Sequence, residues 1–273
     1  MTPTQTTTAE RETSIRRGVE VLLSLAGEES LISGGLGVTQ ISELLGREKS
    51  QVSRALKALS EYGLVERTES SAYRLGWKLF AVAQLAGDSR LLAAAAPRVR
   101  RLALGIGERA HLSVLQGTDA LTIVSQAAPR SVQATGWAGR VTPAYCTSAG
   151  RAMLLDWDEG DILSAFAEVP FIARGPRTAA SPRALLAAVR TAVELGYVVV
   201  DEEFEPELVG LAVPVRDRRR TIIASLNVSA PRYRFLERVP EVARELQAMA
   251  AEIARELDAP PDEGLGSGDL SLR

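Results

Sequence analysis

Residues 49–57 carry Lys49, Ser50, Gln51, Ser53, Arg54 and Lys57, hydrogen-bonding side chains spaced to project from one side of a helix. Arginine can bridge the two acceptors of guanine, glutamine can pair with adenine, and serine or lysine can fix a phosphate. A helix with this surface could therefore read the major groove of DNA. Arg54 and Gln51 are the expected base readers. The same residues also fit the solvated side of any surface helix. Their neighbours favour the groove, because Arg47 and Lys49 stand just before the helix and Arg67 and Arg74 lie where a wing would meet the backbone. The first 80 residues hold ten Lys or Arg and ten Asp or Glu, so any attraction to DNA must come from arrangement rather than excess charge.

Other groups suggest chemistry that their context does not support. Asp201, Glu202, Glu203 and Glu205 could be read as paired catalytic carboxylates. A strand turns alternate side chains to opposite faces, however, and no nucleophile or second carboxylate cluster accompanies them. A solvated edge or a single ligand contact fits them better. His111 and Cys146 could form a base and a nucleophile, yet each stands alone on an apolar segment, where buried structural roles are commoner. With one cysteine and one histidine the chain has no internal disulfide and no metal-ligand cluster of the usual spacing, and no cofactor is expected. Gly105-Ile106-Gly107-Glu108-Arg109-Ala110 satisfies a dinucleotide-binding pattern, but it follows a helical stretch and precedes a strand, the reverse of the required order, and reads as a turn. Asn227-Val228-Ser229 has the form of a glycosylation acceptor inside an expected strand, in a chain without an export signal.

The elements that must position these residues follow from periodicity. A length of 273 residues with 46% hydrophobic content supports two cores. No run of about 18 apolar residues occurs, and the first ten residues lack the regions of an export signal, so the expectation is a cytoplasmic protein with no membrane contact. A helix begins near Ser14, with Ile15, Val19, Leu22, Leu23 and Ala26 as its apolar stripe, and breaks at Gly27. Thr39 is placed to cap a second helix that buries Ile41, Leu44 and Leu45 and stops at Gly46. After the turn Arg47–Ser50 comes a third helix with Val52, Ala55, Leu56 and Leu59 inward, ending at Tyr62-Gly63. LVERT and AYRLG then flank a polar tip as a hairpin. Three helices and a hairpin make a winged helix-turn-helix over residues 14–76. A linker helix is expected over 77–88, with the boundary near Gly87-Asp88.

Beyond it, residues 89–258 alternate helices with short strands: a helix over 89–104, strands at 111–115 and 120–125, and a helix opened by Ser181-Pro182 and closed by Gly196. YVVVD, VGLAVPV and TIIASLNV read as further strands, the last two joined as a hairpin around Arg216–Arg220. A closing helix carries Val239, Val242, Leu246, Met249, Ile253 and Leu257 on one face. The fold class is α+β, with a helix-flanked antiparallel sheet downstream. Residues 1–13 and 259–273 read as disordered tails.

The runs SIRRGVEVLLSLA and VTQISELLGREKSQVSRALKALSEYGLVERTESSAYRLG resemble the DNA-binding half of the IclR family of bacterial transcriptional regulators. ERAHLSVLQG, TPAYCTSAGRAMLLD and ELGYVVVDEEFEPELVGLAVPVRDRRRTIIASLNVSAPRYR resemble that family's effector domain, in the same order. The resemblance spans roughly residues 14–255 and implies a homodimer or tetramer on a palindromic double-stranded operator. It further implies a small-molecule effector in a cavity of a GAF-like domain. Carried over by position, that cavity involves Tyr145, Cys146, Ser148, Ala149, Gly150, Asp201, Glu202, Gly210, Leu211, Ser225, Asn227 and Ser229. If Ala149 and Gly150 open a helix there, its free amides would favour an anionic group, and an organic acid is the expected effector. Alternatively Ala149-Gly150 only permits close packing, and Ser225, Asn227 and Ser229 occupy the wet face of a strand. The chain departs from the family pattern at Arg151, where lysine is usual, and at Gly210, often cysteine or another small polar residue. A rival reading is a sensor or enzyme domain whose amino-terminal helices serve only dimerisation.

Overall fold

The computed structural model describes residues 14–83, 89–128 and 137–258. The chain divides into two compact units between Ser89 and Arg90. The expected tails, the Gly87-Asp88 boundary and the end of the linker helix lie outside the described residues.

The first unit runs α1 (Ser14–Leu25), α2 (Glu28–Ser33), α3 (Val38–Leu45), α4 (Lys49–Glu61), β1 (Val65–Arg67), β2 (Tyr73–Leu75) and α5 (Trp77–Ala83). Its core joins Val21 and Leu25 of α1, Leu36, Ile41 of α3, Val52 and Leu56 of α4, and Val65 of β1. The stretch after Gly27 is not wholly irregular as expected: Gly27, in extended conformation, and Gly34, at φ 74°, bracket the short helix α2. Thr39 lies in the first turn of α3 rather than at its cap. Gly37 takes that position and its amide donates to Gln40 Oε1 at 2.9 Å. Leu44 is 57% exposed, so α3 turns Ile41 inward and Leu44 outward. Gly46, at φ 61°, makes the sharp turn into α4, which begins two residues earlier than the sequence turn suggested. β1 and β2 pair antiparallel with Glu66 opposite Arg74.

The second unit runs α6 (Ser89–Ile106), β3 (Arg109–Gln116), β4 (Asp119–Gln126), β5 (Val141–Pro143), α7 (Ser148–Ala152), α8 (Glu159–Ala165), α9 (Pro182–Leu195), β6 (Val198–Asp201), β7 (Leu208–Arg216), β8 (Ile222–Pro231), α10 (Arg232–Phe235) and α11 (Val239–Asp258). A six-stranded sheet has the order β5-β4-β3-β8-β7-β6, every neighbouring pair antiparallel. Strand alternation gives this sheet two different faces. Ala110, Leu112, Leu211, Val213, Leu226 and Val228 face α6 and α11 in the main core. The intervening His111, Ser113, Ser225 and Asn227 are buried too, although they are polar. Gly105 and Ile106 end α6 and Arg109 opens β3, so the dinucleotide-like run is a helix-to-strand turn, with Gly107 at φ 79°.

Candidate nucleic-acid interface and ligand cavity

On α4, Lys49, Ser50, Ser53, Arg54 and Lys57 are exposed while Val52 and Leu56 are buried on the opposite side. Gln51 sits on the flank, half-buried, and with Arg54 lines a groove between α1 and α4. Arg54 Nε donates back to Ser50 O at 3.2 Å, a contact within its own helix that a base edge can replace. On the wing, Arg67 lies over the Tyr73 ring at 5.9 Å, and Arg74 pairs with Glu66 across the hairpin at 3.2 Å. An exposed pair of that kind contributes little to stability, so Arg74 can turn to a phosphate at small cost. Arg47 is different: its side chain is 12% exposed and grips Glu20 of α1 through Nε at 3.0 Å and Nη2 at 2.6 Å. It ties the turn to α1 and stands apart from the exposed stripe.

In the second unit, α7 lies against the polar face of the sheet and leaves a small cavity, with about 60 Å³ of room for the centres of water-sized molecules. Its floor is His111, Ser113, Thr122, Asn227 and Ser229. Thr142, Thr147, Ser148, Ala149, Gly210, Val200, Leu208, Phe204 and Trp137 complete the lining. Ser148, Ala149, Gly210, Asn227 and Ser229 of the expected set therefore come together here, but the other expected residues do not. Tyr145 packs on Phe171, and its hydroxyl donates to Ile172 O at 2.9 Å and accepts from Ile172 N at 3.0 Å. Cys146 is buried beside it, and burial pushes its thiol up to about 11, so it stays protonated rather than acting as a nucleophile. Leu211 faces the main core. Ser225 is fully buried outside the lining.

Asp201 and Glu202, expected at the cavity, belong to an ion-pair network. Asp201 pairs with Arg177 and, at 2.8 Å, with Arg232, while Glu202 lies 3.5 Å from Arg232. Glu203 takes the buried Arg151 through two bonds of 2.9 and 2.6 Å. These carboxylates anchor the loop at 202–207, in which Glu202 and Glu207 hold positive φ and Phe204 projects into the cavity wall. The helix start also differs from expectation. Thr147 caps α7, with Oγ1 accepting from Gly150 N at 3.3 Å, so that amide is already engaged. A Cβ on Gly150 would lie 2.2 Å from Ala144 Cα, which makes Gly150 a close-packing glycine.

His111 is one of the cavity residues that the sequence reading missed, with Ser113, Thr122 and Phe204. Burial, reinforced by Arg109, pulls its pKa down from 6.5 to about 3, so the ring is neutral. The available signal was alternation: His111 and Ser113 on one strand match Ser225, Asn227 and Ser229 on another. Because the unfolded chain binds a proton near pH 6.5 that the folded chain refuses, stability falls as pH drops from about 6.5 towards 3, by at most about 1.4 kcal/mol per pH unit. Urea unfolding of His111→Gln between pH 4.5 and 7 should show a flatter acid limb. Parallel limbs would mean that His111 gains its proton without unfolding.

A winged helix-turn-helix followed by a curled antiparallel sheet with a side-chain-lined cavity defines a ligand-responsive, DNA-binding transcriptional regulator. Residues 14–69 match the IclR helix-turn-helix domain and residues 83–255 the bacterial transcriptional regulator IclR C-terminal domain, and the chain belongs to the IclR family. It is 31% identical over 240 residues to the HTH-type transcriptional regulator KdgR of Escherichia coli (strain K12), covering 87% of this chain and 89% of that one. It is 30% identical to the Pca regulon regulatory protein of Pseudomonas putida, covering 80% and 74%. An IclR homolog from Microbacterium hydrocarbonoxydans, solved in complex with 4-hydroxybenzoate, has the same fold: TM-score 0.72, 22% identity, 91% of this chain and all of that one. Thermotoga maritima IclR gives 0.71 at 22% identity, covering 90% and 99%. These relatives are regulators, which removes the enzyme alternative. Among the described residues no helix is long and apolar enough to cross a membrane, and no group of His, Cys, Asp and Glu could hold a metal ion.

Proposed function

We propose that this chain is a cytoplasmic homodimer or tetramer that sets two α4 helices on a palindromic operator and is switched by a small organic effector in the second unit's cavity. The exposed stripe Lys49, Ser50, Ser53, Arg54 and Lys57, backed by Arg67 and Arg74, carries the DNA reading. Self-association is supported by α5, where Trp77 (74% exposed) and Phe80 (59%) make an edge-on pair beside the exposed Val82. Effector binding would shift the population of dimers able to span two half-sites. Among the described residues no Lys or Arg lines the cavity. The organic acid expected from the sequence would find its cations outside that lining, where Arg140 stacks on Trp137 and Arg174 on Phe204.

The test is a gel-shift titration of the DNA upstream of its own gene, at stated salt and with competitor DNA. The expected result is a discrete complex that Arg54→Ala weakens by about 1–3 kcal/mol, roughly 5- to 150-fold. Unchanged affinity would remove Arg54 from base reading. Binding abolished equally by any competitor would remove the operator itself.

A further inference from the structure

The polar sheet face that carries the cavity floor holds two cross-strand rows of uncharged polar residues, of which His111, Ser113, Thr122 and Asn227 line the cavity and Ser125 and Ser225 do not. Ser125, His111 and Asn227 stand opposite one another on β4, β3 and β8, and Thr122, Ser113 and Ser225 form the parallel row. In a buried sheet face such groups are normally paired with one another. Here the pairing is thin. His111 Nε2 reaches Ser229 Oγ at 3.3 Å and Ser113 Oγ reaches Thr122 Oγ1 at 3.4 Å, both long for contacts of their kind. His111 Nδ1, Asn227 Oδ1, Ser125 Oγ and Ser225 Oγ have no partner at all. His111 is 3% exposed and Asn227 7%, and both line the cavity. Leaving such groups unsatisfied opposes folding; of the four residues only His111 and Asn227 line the cavity, so a partner that enters it can serve those two.

Taking the cavity as the effector site, we infer that the effector is a hydroxylated six-membered ring recognised through its hydroxyl, which the His111–Asn227 row receives, and that a carboxylate is dispensable. His111 is neutral and Asn227 is an amide, so neither can neutralise an anion, whereas an amide oxygen and an imidazole lone pair both accept from a hydroxyl. The ring then lies towards the wall made by Trp137 and Phe204, whose centroids are 6.2 Å apart and tilted by 59°. Any acidic group on the ring points towards Arg140 and Arg174, which stack on those two aromatic rings. A phenol and a saturated sugar ring both satisfy this chemistry.

Titration calorimetry on the full-length protein separates the possibilities. The hydroxyl series is phenol, 4-hydroxybenzyl alcohol and 4-hydroxybenzoate. The series without the donor is benzoate and 4-methoxybenzoate, and glucose and myo-inositol form the saturated arm. Hydroxylated rings of one arm should bind at least tenfold more tightly than their methoxy or unsubstituted counterparts, and Asn227→Leu and His111→Gln should erase that difference. Because Asn227→Leu removes an unsatisfied group, its ligand-free melting temperature should stay level or rise, so that lost binding is not lost folding. Arg140→Ala should weaken 4-hydroxybenzoate while sparing 4-hydroxybenzyl alcohol. If benzoate binds as tightly as 4-hydroxybenzoate and both are lost in Asn227→Leu, the hydroxyl inference falls and the cavity stands. If hydroxylated rings bind Asn227→Leu and His111→Gln unchanged, the cavity falls as the site. If no hydroxylated ring binds, the inference is overturned.

Discussion

Replacing Glu203 with alanine is expected to destabilise the second unit by about 3–5 kcal/mol, the usual cost of stripping a buried ion of its partner. Arg151 is 2% exposed, and its guanidinium has Glu203 Oε1 at 2.9 Å, Glu203 Oε2 at 2.6 Å and Tyr145 O at 2.8 Å. Without Glu203 the cation keeps one carbonyl and no countercharge. The guanidinium fork is what allows one side chain to meet all three acceptors, so Arg151→Lys keeps the charge and still loses geometry. The same loop carries Phe204, so effector affinity should fall with stability. Arg151→Met combined with Glu203→Leu should recover most of the lost stability, because the pair is coupled and its desolvation disappears with it. Denaturant unfolding, followed on the transition of the second unit, measures both. A loss under about 1 kcal/mol in Glu203→Ala would mean that water screens Arg151 despite its burial.

The winged helix was legible because its signals are local. Glycines at 46 and 63, an apolar period through Val52 and Leu56, and a hairpin closed within a few residues all act over one or two turns of chain. Five of the six strands of the second unit were legible for the same reason, and the short β5 was not. What periodicity could not supply was the partner of each charge. Asp201, Glu202 and Glu203 looked available for a ligand, yet their arginines come from residues 177, 232 and 151, brought together only by sheet order and by the loops that cross its edge. Arg47 looked like a phosphate contact until the packing of α1 placed Glu20 against it. The cavity was half legible: the family resemblance marked Asn227 and Ser229, but His111, Ser113 and Thr122 enter only through antiparallel register. Phe204, a lone aromatic in an acidic run, was a signal that went unread.

Gly150→Ala should be the most disruptive of the small substitutions, at about 3 kcal/mol or more, although helix propensity alone predicts a gain of about 1 kcal/mol. The new Cβ would lie 2.2 Å from Ala144 Cα and 2.5 Å from Ala144 Cβ, and both are fixed in the turn that leads into α7. Backbone, not a flexible side-chain end, must move, and the element that moves carries Ser148 and Ala149 in the cavity wall. Gly105→Ala is the control: it lies in α6 with nothing within 4 Å of its added Cβ, and it should be neutral or slightly stabilising. Paired unfolding curves and effector titrations of the two variants distinguish a packing requirement from a ligand requirement. If Gly150→Ala lost effector binding at full stability, its amide would be a ligand contact after all. If it lost both together, the glycine sets how closely α7 approaches the turn at Ala144, and thereby the width of the space above His111 and Asn227.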